Sequence, residues 1–248
     1  MKKTINITKI IFIIFIITSC QKDIKREVST GQLIGFVALS EEEDHRDILV
    51  KVKDSRSSLL SHIEALTDAE GFFTINELKS GTYNIYFEKD GYCKHKIANY
   101  QFTGRSELTY LSMHEHKIML YKLPQHEVSD LIILGQNDNK LMLQVQIINQ
   151  IEQLSYSPLR YYLSNTSEVS YDRYIVTDVL FQNSQLEFAN YFIEIDDLQF
   201  IDGLKLYLKI YPAAETKQSY KDIYTGLEIF TSINANNASE VVNTILIK

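Results

Sequence analysis

Leu66-Thr67-Asp68-Ala69-Glu70-Gly71-Phe72-Phe73-Thr74-Ile75, followed by Leu78, Gly81-Thr82-Tyr83 and Asp90-Gly91-Tyr92, is the stretch whose reading decides the fold. Three glycines at turn spacing separate short runs rich in aromatic and β-branched residues, the sequence form of strand, tight turn, strand. Asp68 and Gly71 bracket the first turn, the aspartate bonding its own backbone and the glycine accepting a positive φ. Phe73 and Ile75 then point to one side, Gly81 turns the chain so that Tyr83 enters the same core, and Gly91 does the same ahead of Tyr92.

Working outward, Tyr83, Ile85 and Phe87 alternate with Asn84, Tyr86 and Glu88, and Ile48, Val50 and Val52 alternate with Leu49, Lys51 and Lys53. Each is a strand with one buried face. Leu59 to Thr67 fits either a helix or a strand by spacing, and further strands are expected near Ile97 to Thr103 and Lys117 to Leu123. Gly35-x-Val37, Leu49 to Val52, Thr67-Asp68-x-Glu70-Gly71-x-Phe73-x-Ile75, Leu78, Gly81-Thr82-Tyr83 and Gly91-Tyr92 together resemble a carboxypeptidase regulatory-like domain. The resemblance covers residues 32 to about 123 and implies a prealbumin-like (transthyretin-like) β-sandwich of about seven strands. It also implies strand over Leu59 to Thr67.

Pro124 and the polar Gln125-His126-Glu127 mark a boundary. Beyond it Leu141, Leu143, Val145 and Ile147 alternate with polar partners, as do Leu204, Leu206, Leu208 and Ile210, with Pro212 closing that strand. More runs lie at Leu186 to Ile195, Leu227 to Ile233 and Val241 to Ile247, so a second antiparallel sandwich is expected, fibronectin type III-like or immunoglobulin-like. The fold class is therefore all-β, two antiparallel β-sandwich domains in tandem.

At the other end Lys2, Lys3 and Lys9 lead into the apolar run Ile10 to Ile17, too short to span a bilayer as a helix, then Thr18-Ser19-Cys20. Ile17-Thr18-Ser19-Cys20 resembles the lipobox of bacterial lipoproteins, which implies lipidation of Cys20 and loss of what precedes it. Gln21 rather than Asp after the cysteine implies the outer membrane. The expected organisation is a signal peptide over 1–19, a lipidated tether over 20–31, the regulatory-like sandwich over 32–124 and the second sandwich over 125–248.

Removal of Lys2, Lys3 and Lys9 with the signal leaves 22 basic residues against 32 acidic, a balance of −10 instead of −7. An acidic surface without a basic stripe excludes nucleic acid as a partner. With Cys20 acylated, Cys93 is the one remaining thiol and reads as a buried, inert side chain. The acidic loop Glu41-Glu42-Glu43-Asp44 lacks the alternating ligands and glycine of a calcium site.

No enzyme is read from this chain. No histidine has a glutamate three residues on, His114 and His116 have no evident third metal ligand, and His95 near Cys93 is only an arithmetic candidate for a base. No Gly-x-Ser-x-Gly elbow, phosphate loop or dinucleotide fingerprint occurs, and no cofactor or metal is expected. The 16 tyrosines without any tryptophan direct attention instead to Tyr161, Tyr162, Tyr171 and Tyr174, read as lying in a Ser/Asn-rich region between strands and as candidate ligand contacts. The expectation is an envelope binding or assembly module with a membrane-held lipid and a protein or glycan partner. The resemblance implies company such as nutrient-uptake transporters of the Bacteroidota. A glycan-binding surface module and a fimbrillin-like structural subunit remain as alternatives.

Overall fold

The computed structural model describes residues 29–56, 62–137, 140–148, 156–183, 188–195, 203–214 and 218–245. The expected signal peptide, Cys20, most of the tether and the segments 57–61 and 196–202 lie outside the described residues. Nearly every described element is a strand, and the one helical turn is a short 3-10 segment, Ala235–Asn237.

The first sandwich pairs two four-stranded sheets. One is built on β1 (Thr30–Leu39), with β4 (Phe72–Lys79) on one side and β7 (Leu108–Tyr110) and β8 (Ile118–Leu120) sharing the other. The other runs in the order β3 (Ile63–Leu66), β2 (Leu49–Asp54), β5 (Gly81–Glu88), β6 (His95–Phe102). β1 starts at Thr30, so Thr30 and Gly31 belong to the sheet rather than to a tether. Strand is what forms over Ile63–Leu66, as the family resemblance implied.

Most pairs are antiparallel, but β7 and β8 both run parallel to β1. Between these two ladders the chain bulges away at Ser112, whose hydroxyl accepts from Phe36 N at 2.8 Å and donates to Phe36 O at 2.9 Å. One side chain thus supplies the missing rung, leaving neither backbone group of Phe36 unsatisfied.

The period of two explains the core. Leu33, Val37, Phe73 and Ile75 from one sheet meet Val50, Val52, Ile85 and Phe87 from the other, all essentially without solvent contact. Leu78 also points inward, although it stands an odd number of residues beyond Ile75. A β-bulge reconciles the two: pairing jumps from Leu33↔Ile75 to Gly31↔Leu78, and Glu77 takes a φ of 52°.

A second core gathers residues from Val128 to Val242. Its three-stranded sheet has the order β13 (Phe188–Glu194), β10 (Lys140–Ile148), β9 (Glu127–Asn137). Facing it is β12 (Val176–Asn183), β11 (Tyr156–Ser164), β14 (Lys205–Pro212), β17 (Val242–Ile245). In the immunoglobulin constant arrangement the fourth strand joins the first sheet; here β12 pairs with β11 in the second, the fibronectin type III order. Tyr207 faces outward, as the alternation of β14 required.

Between β14 and β17 the chain inserts a hairpin, β15 (Ser219–Lys221) and β16 (Glu228–Phe230). It bridges the two sandwiches, lying against β6 of the first while Arg160 of β11 stacks on Phe230 at 3.6 Å and Tyr174 OH donates to Glu228 O in the second. Gln218 Nε2 donates to Met119 O at 2.6 Å, Asn234 Nδ2 to Pro124 O at 2.8 Å, and Asn237 Nδ2 to His126 O at 3.0 Å. The connection between the sandwiches is therefore held by side chains of the second.

Candidate functional site

The turn residues read from the sequence do structural work. Asp68 Oδ1 accepts from Phe72 N at 2.8 Å and Asp68 O accepts from Gly71 N at 3.0 Å. Gly71 has φ +84°, and a Cβ there would stand 1.9 Å from Val37 O. Phe73 is buried, and Tyr83 is buried beside Gly81 with its hydroxyl donating to Lys79 O at 2.8 Å. Gly91 has φ +80°, and Tyr92 OH reaches Glu42 at 3.1 Å. Lys122 binds both Glu41 and Glu42, so the acidic loop is tied down by its own neighbours.

Of the four tyrosines, Tyr171 and Tyr174 lie between strands, in the connection from β11 to β12, but Tyr161 and Tyr162 do not. Tyr161 and Tyr162 lie in the middle of β11 and are buried, Tyr161 in the second core and Tyr162 on the opposite face. For Tyr161 and Tyr162 the reading is corrected, because Leu159, Tyr161 and Leu163 alternate with Arg160 and Tyr162 through a strand covered on both faces. Tyr162 packs edge-on to Tyr174 and Tyr211, and Tyr174 OH donates to Glu228 O. Tyr171, 36% exposed, packs on Tyr211. Tyr162, Tyr174 and Tyr211 form with Val169, Ala213 and Ile233 a third apolar cluster that roofs the outer face of the sheet.

His114 and His116 fall in a tight turn closed by His116 N donating to Met113 O, and both are exposed. Among the described residues no three His, Cys, Asp or Glu side chains converge as metal ligands. Cys93 is buried, and desolvation pushes its thiol up to about 12. His95 stacks on Phe87 with centroids 5.9 Å apart, and burial pulls it below the usual histidine value.

What the fold does assemble is a slot between the two sandwiches. Its walls are His95 to Asn99 of β6 and Ser219 to Ile223 of the inserted hairpin, with Gly226 at one end, bordering an open groove of about 610 Å³. That volume is ordinary for a ligand site. Lys96 bridges the walls: its ammonium is 4.2 Å from the centroid of Tyr220 and 5.4 Å from that of Tyr86. Burial lowers its pKa, opposed by the charge of Asp222.

Asp222 shapes the hairpin tip. Its carboxylate accepts from Tyr224 N, Thr225 N and Thr225 Oγ1 at 3.0, 2.9 and 3.1 Å, and the backbone bond from Thr225 leads in holding its pKa down. Across the slot, β6 carries a bulge: Asn99 has φ 56° and its N–H donates to Asn84 Oδ1 at 3.1 Å. His95 Nδ1, on the ring that stacks on Phe87, is buried without a hydrogen-bond partner. None of these residues was singled out as a contact from sequence. The available signal was the turn Asp222-Ile223-Tyr224-Thr225-Gly226, an aspartate followed four residues later by a glycine.

No protein-family model matches the chain, and no curated protein matches it. Solved structures do. One from Bacteroides uniformis, provisionally described as a carbohydrate binding protein, is 11% identical, covers 88% of this chain and 100% of its own, and has a TM-score of 0.35. A DUF3823 family protein from Bacteroides ovatus is 15% identical over 87% of this chain and 99% of its own, with a TM-score of 0.33. Another from Parabacteroides merdae is 12% identical over 89% and 100%, also with a TM-score of 0.33. Likeness at this level transfers neither ligand nor activity.

Proposed function

We propose that the chain is a non-enzymatic binding module of the cell envelope, held at the outer membrane by lipid on Cys20, that engages its partner through the slot between its sandwiches. The observation that carries this reading is the β15–β16 hairpin, an insertion that reaches from the second sandwich to the first and walls an open groove of about 610 Å³ against β6. The state of the polar groups supports binding over catalysis: Asp222 is occupied by its own turn, Lys96 by two rings, and the Cys93 thiol is held protonated by burial. A nucleophile needs an accessible base beside it, and these groups supply none to one another.

The lipid is the sequence-based part of the reading. Each buried methylene contributes about 0.8 kcal/mol to membrane affinity, so several acyl chains on Cys20 hold the protein essentially permanently. Cys20→Ser is expected to move the protein from the membrane fraction to the soluble one. For the slot, a photo-crosslinking residue at Ile223, which is 60% exposed, is expected to give one discrete adduct in intact envelopes. A transporter subunit in that adduct supports a role in uptake. Absence of any adduct at Ile223, with the protein correctly anchored, refutes the slot as the binding site.

A further inference from the structure

Resting on the lipid anchor of that reading, we infer that the outward face of the sheet β4-β1-β7 lies on the bilayer that holds the acyl chains of Cys20. The two outer faces of the first sandwich differ in character. On the β3-β2-β5-β6 side the outward positions carry charge. Lys51 stands across from Glu64 and Tyr86, and its ammonium is 3.2 Å from Glu88, which Lys94 also reaches at 3.6 Å. On the other side the outward positions of β4, β1 and β7 alternate from Phe72 to Asn76, from Gln32 to Phe36 and from Leu108 to Tyr110, and none is charged. A sheet face that stands in water is ordinarily polar, and an exposed apolar one marks an interaction surface.

Where the uncharged face meets solvent it is apolar. Tyr110 is 53% exposed and Met113 59%, and Leu108, on the same side of β7 as Tyr110, is exposed as well. Phe36 and Phe72 pack with centroids 5.2 Å apart, and His114 meets Phe36 edge-on at 5.2 Å. Ser112, bonded to the backbone of Phe36, fixes the turn that carries Met113 and His114 beside that ring. The polar pair on the face is closed on itself, Gln32 Nε2 donating to Asn76 Oδ1 at 2.7 Å. Tyrosine suits a membrane interface because its ring is apolar while its hydroxyl stays with the headgroups, and leucine and methionine side chains gain by leaving water for the acyl boundary.

The place where the chain enters decides the occupant. β1 starts at Thr30 and runs through the middle of this sheet. Ten peptide steps separate Cys20 from Thr30, which limits the distance from the lipid to the sheet to about 35 Å. Phe36, with His114 against it, stands about 20 Å further along β1, so the whole face is within reach of the anchor's bilayer. A short tether turns docking into an intramolecular step at an effective concentration on the order of millimolar. A contact too weak to hold the free protein therefore suffices to orient the anchored one. With this face down, β6 and the groove it walls belong to the layer away from the bilayer.

The test uses residues 20–248, the form left by the expected cleavage, with the Cys20 thiol coupled to a maleimide phospholipid in vesicles of phosphatidylethanolamine and phosphatidylglycerol. Cys93 is buried and stays out of that reaction. A benzophenone amino acid replaces Tyr110 or Met113, and phospholipid adducts formed on irradiation are measured by mass spectrometry. Phe192 and Tyr224, exposed on the second sandwich and its hairpin, are the control positions. Adducts at Tyr110 and Met113 are expected several-fold above both controls. Leu108→Asp combined with Met113→Asp is expected to cut the adduct at Tyr110 several-fold at an unchanged melting temperature, because both sites are exposed. Equal labelling at every position, which free tumbling on the tether gives, overturns the inference. So does labelling that is absent at Met113, that prefers Phe192, or that ignores the two aspartates. The anchor is made chemically here, so this surface can fail while native lipidation of Cys20 stands, and native lipidation can fail while this surface is upheld.

Discussion

Gly71→Ala is the sharpest probe of the first sandwich. Gly71 has φ +84°, and an added Cβ would lie 1.9 Å from Val37 O, 3.0 Å from Val37 C and 3.2 Å from His45 Cβ. A non-glycine residue at positive φ costs about 1 kcal/mol. The clash is with backbone, so no rotamer change relieves it, and the turn must retreat by more than an ångström. That retreat breaks the 2.8 Å bond from Val37 N to Gly71 O, in a residue without solvent exposure. Stranding a buried donor costs about 1–3 kcal/mol, which brings the expected loss to about 2–4 kcal/mol. Gly91→Ala is the matched control: its φ is +80°, but nothing stands within 4 Å of the added Cβ. It should lose only the conformational part, about 1 kcal/mol. At about 2–4 °C per kcal/mol for a chain of this size, scanning calorimetry should separate the two variants by several degrees. Equal shifts would show that the Gly71 turn does not press on β1, and would sink this account of the motif.

Burial lowers the pKa of His45, His95 and His126 below the usual histidine value. The unfolded chain then binds more protons than the folded one just below pH ~6.5, so stability is complete above that value and declines as pH falls beneath it. Urea midpoints should drop between about pH 7 and about pH 5, and His126→Gln should flatten part of the slope; a flat wild-type profile contradicts it. In a Cys20→Ser background, Cys93 should react with a maleimide about a thousandfold more slowly than a free thiol, given a pKa raised from 9.0 to about 12, and at the normal rate in urea. Tyr220→Ala removes the ring that Lys96 sits over and should speed tryptic cleavage after Lys221, whereas Tyr224→Ala, at a site 85% exposed, should leave it unchanged.

Much of the fold was legible locally. Asp68 with Gly71, and the alternation of Tyr83, Ile85 and Phe87, announced a tight turn and a half-buried strand that the structure contains, but the turn closes no hairpin: β3 and β4 pair in different sheets, so the chain crosses there from one sheet to the other. The strand β11 was missed because Ser164 and Asn165 beside Tyr161 and Tyr162 suggested a loop, although Leu159, Tyr161 and Leu163 already alternated. Its outer face is covered as well as its inner one, Tyr162 by the third apolar cluster and Arg160 by the ring of Phe230 at 3.6 Å, and that cover comes from distant parts of the chain. The three-residue strands β7 and β15 are too short to show any period.

From the sequence alone it followed that this chain is all-β and built as tandem sandwiches, since a period of two and the demands of tight turns are properties of neighbouring residues. Only the tertiary structure decided which tyrosines are interior, that β1 carries two parallel seams bridged by Ser112, and that β6 meets an insertion from the other sandwich. The slot joins residues 95–99 to residues 219–223, and no local pattern in either segment specifies the other. Their meeting depends on how the sandwiches dock, through Gln218, Asn234 and Asn237, and contacts of that kind are set by shape and hydrogen bonding across the whole chain.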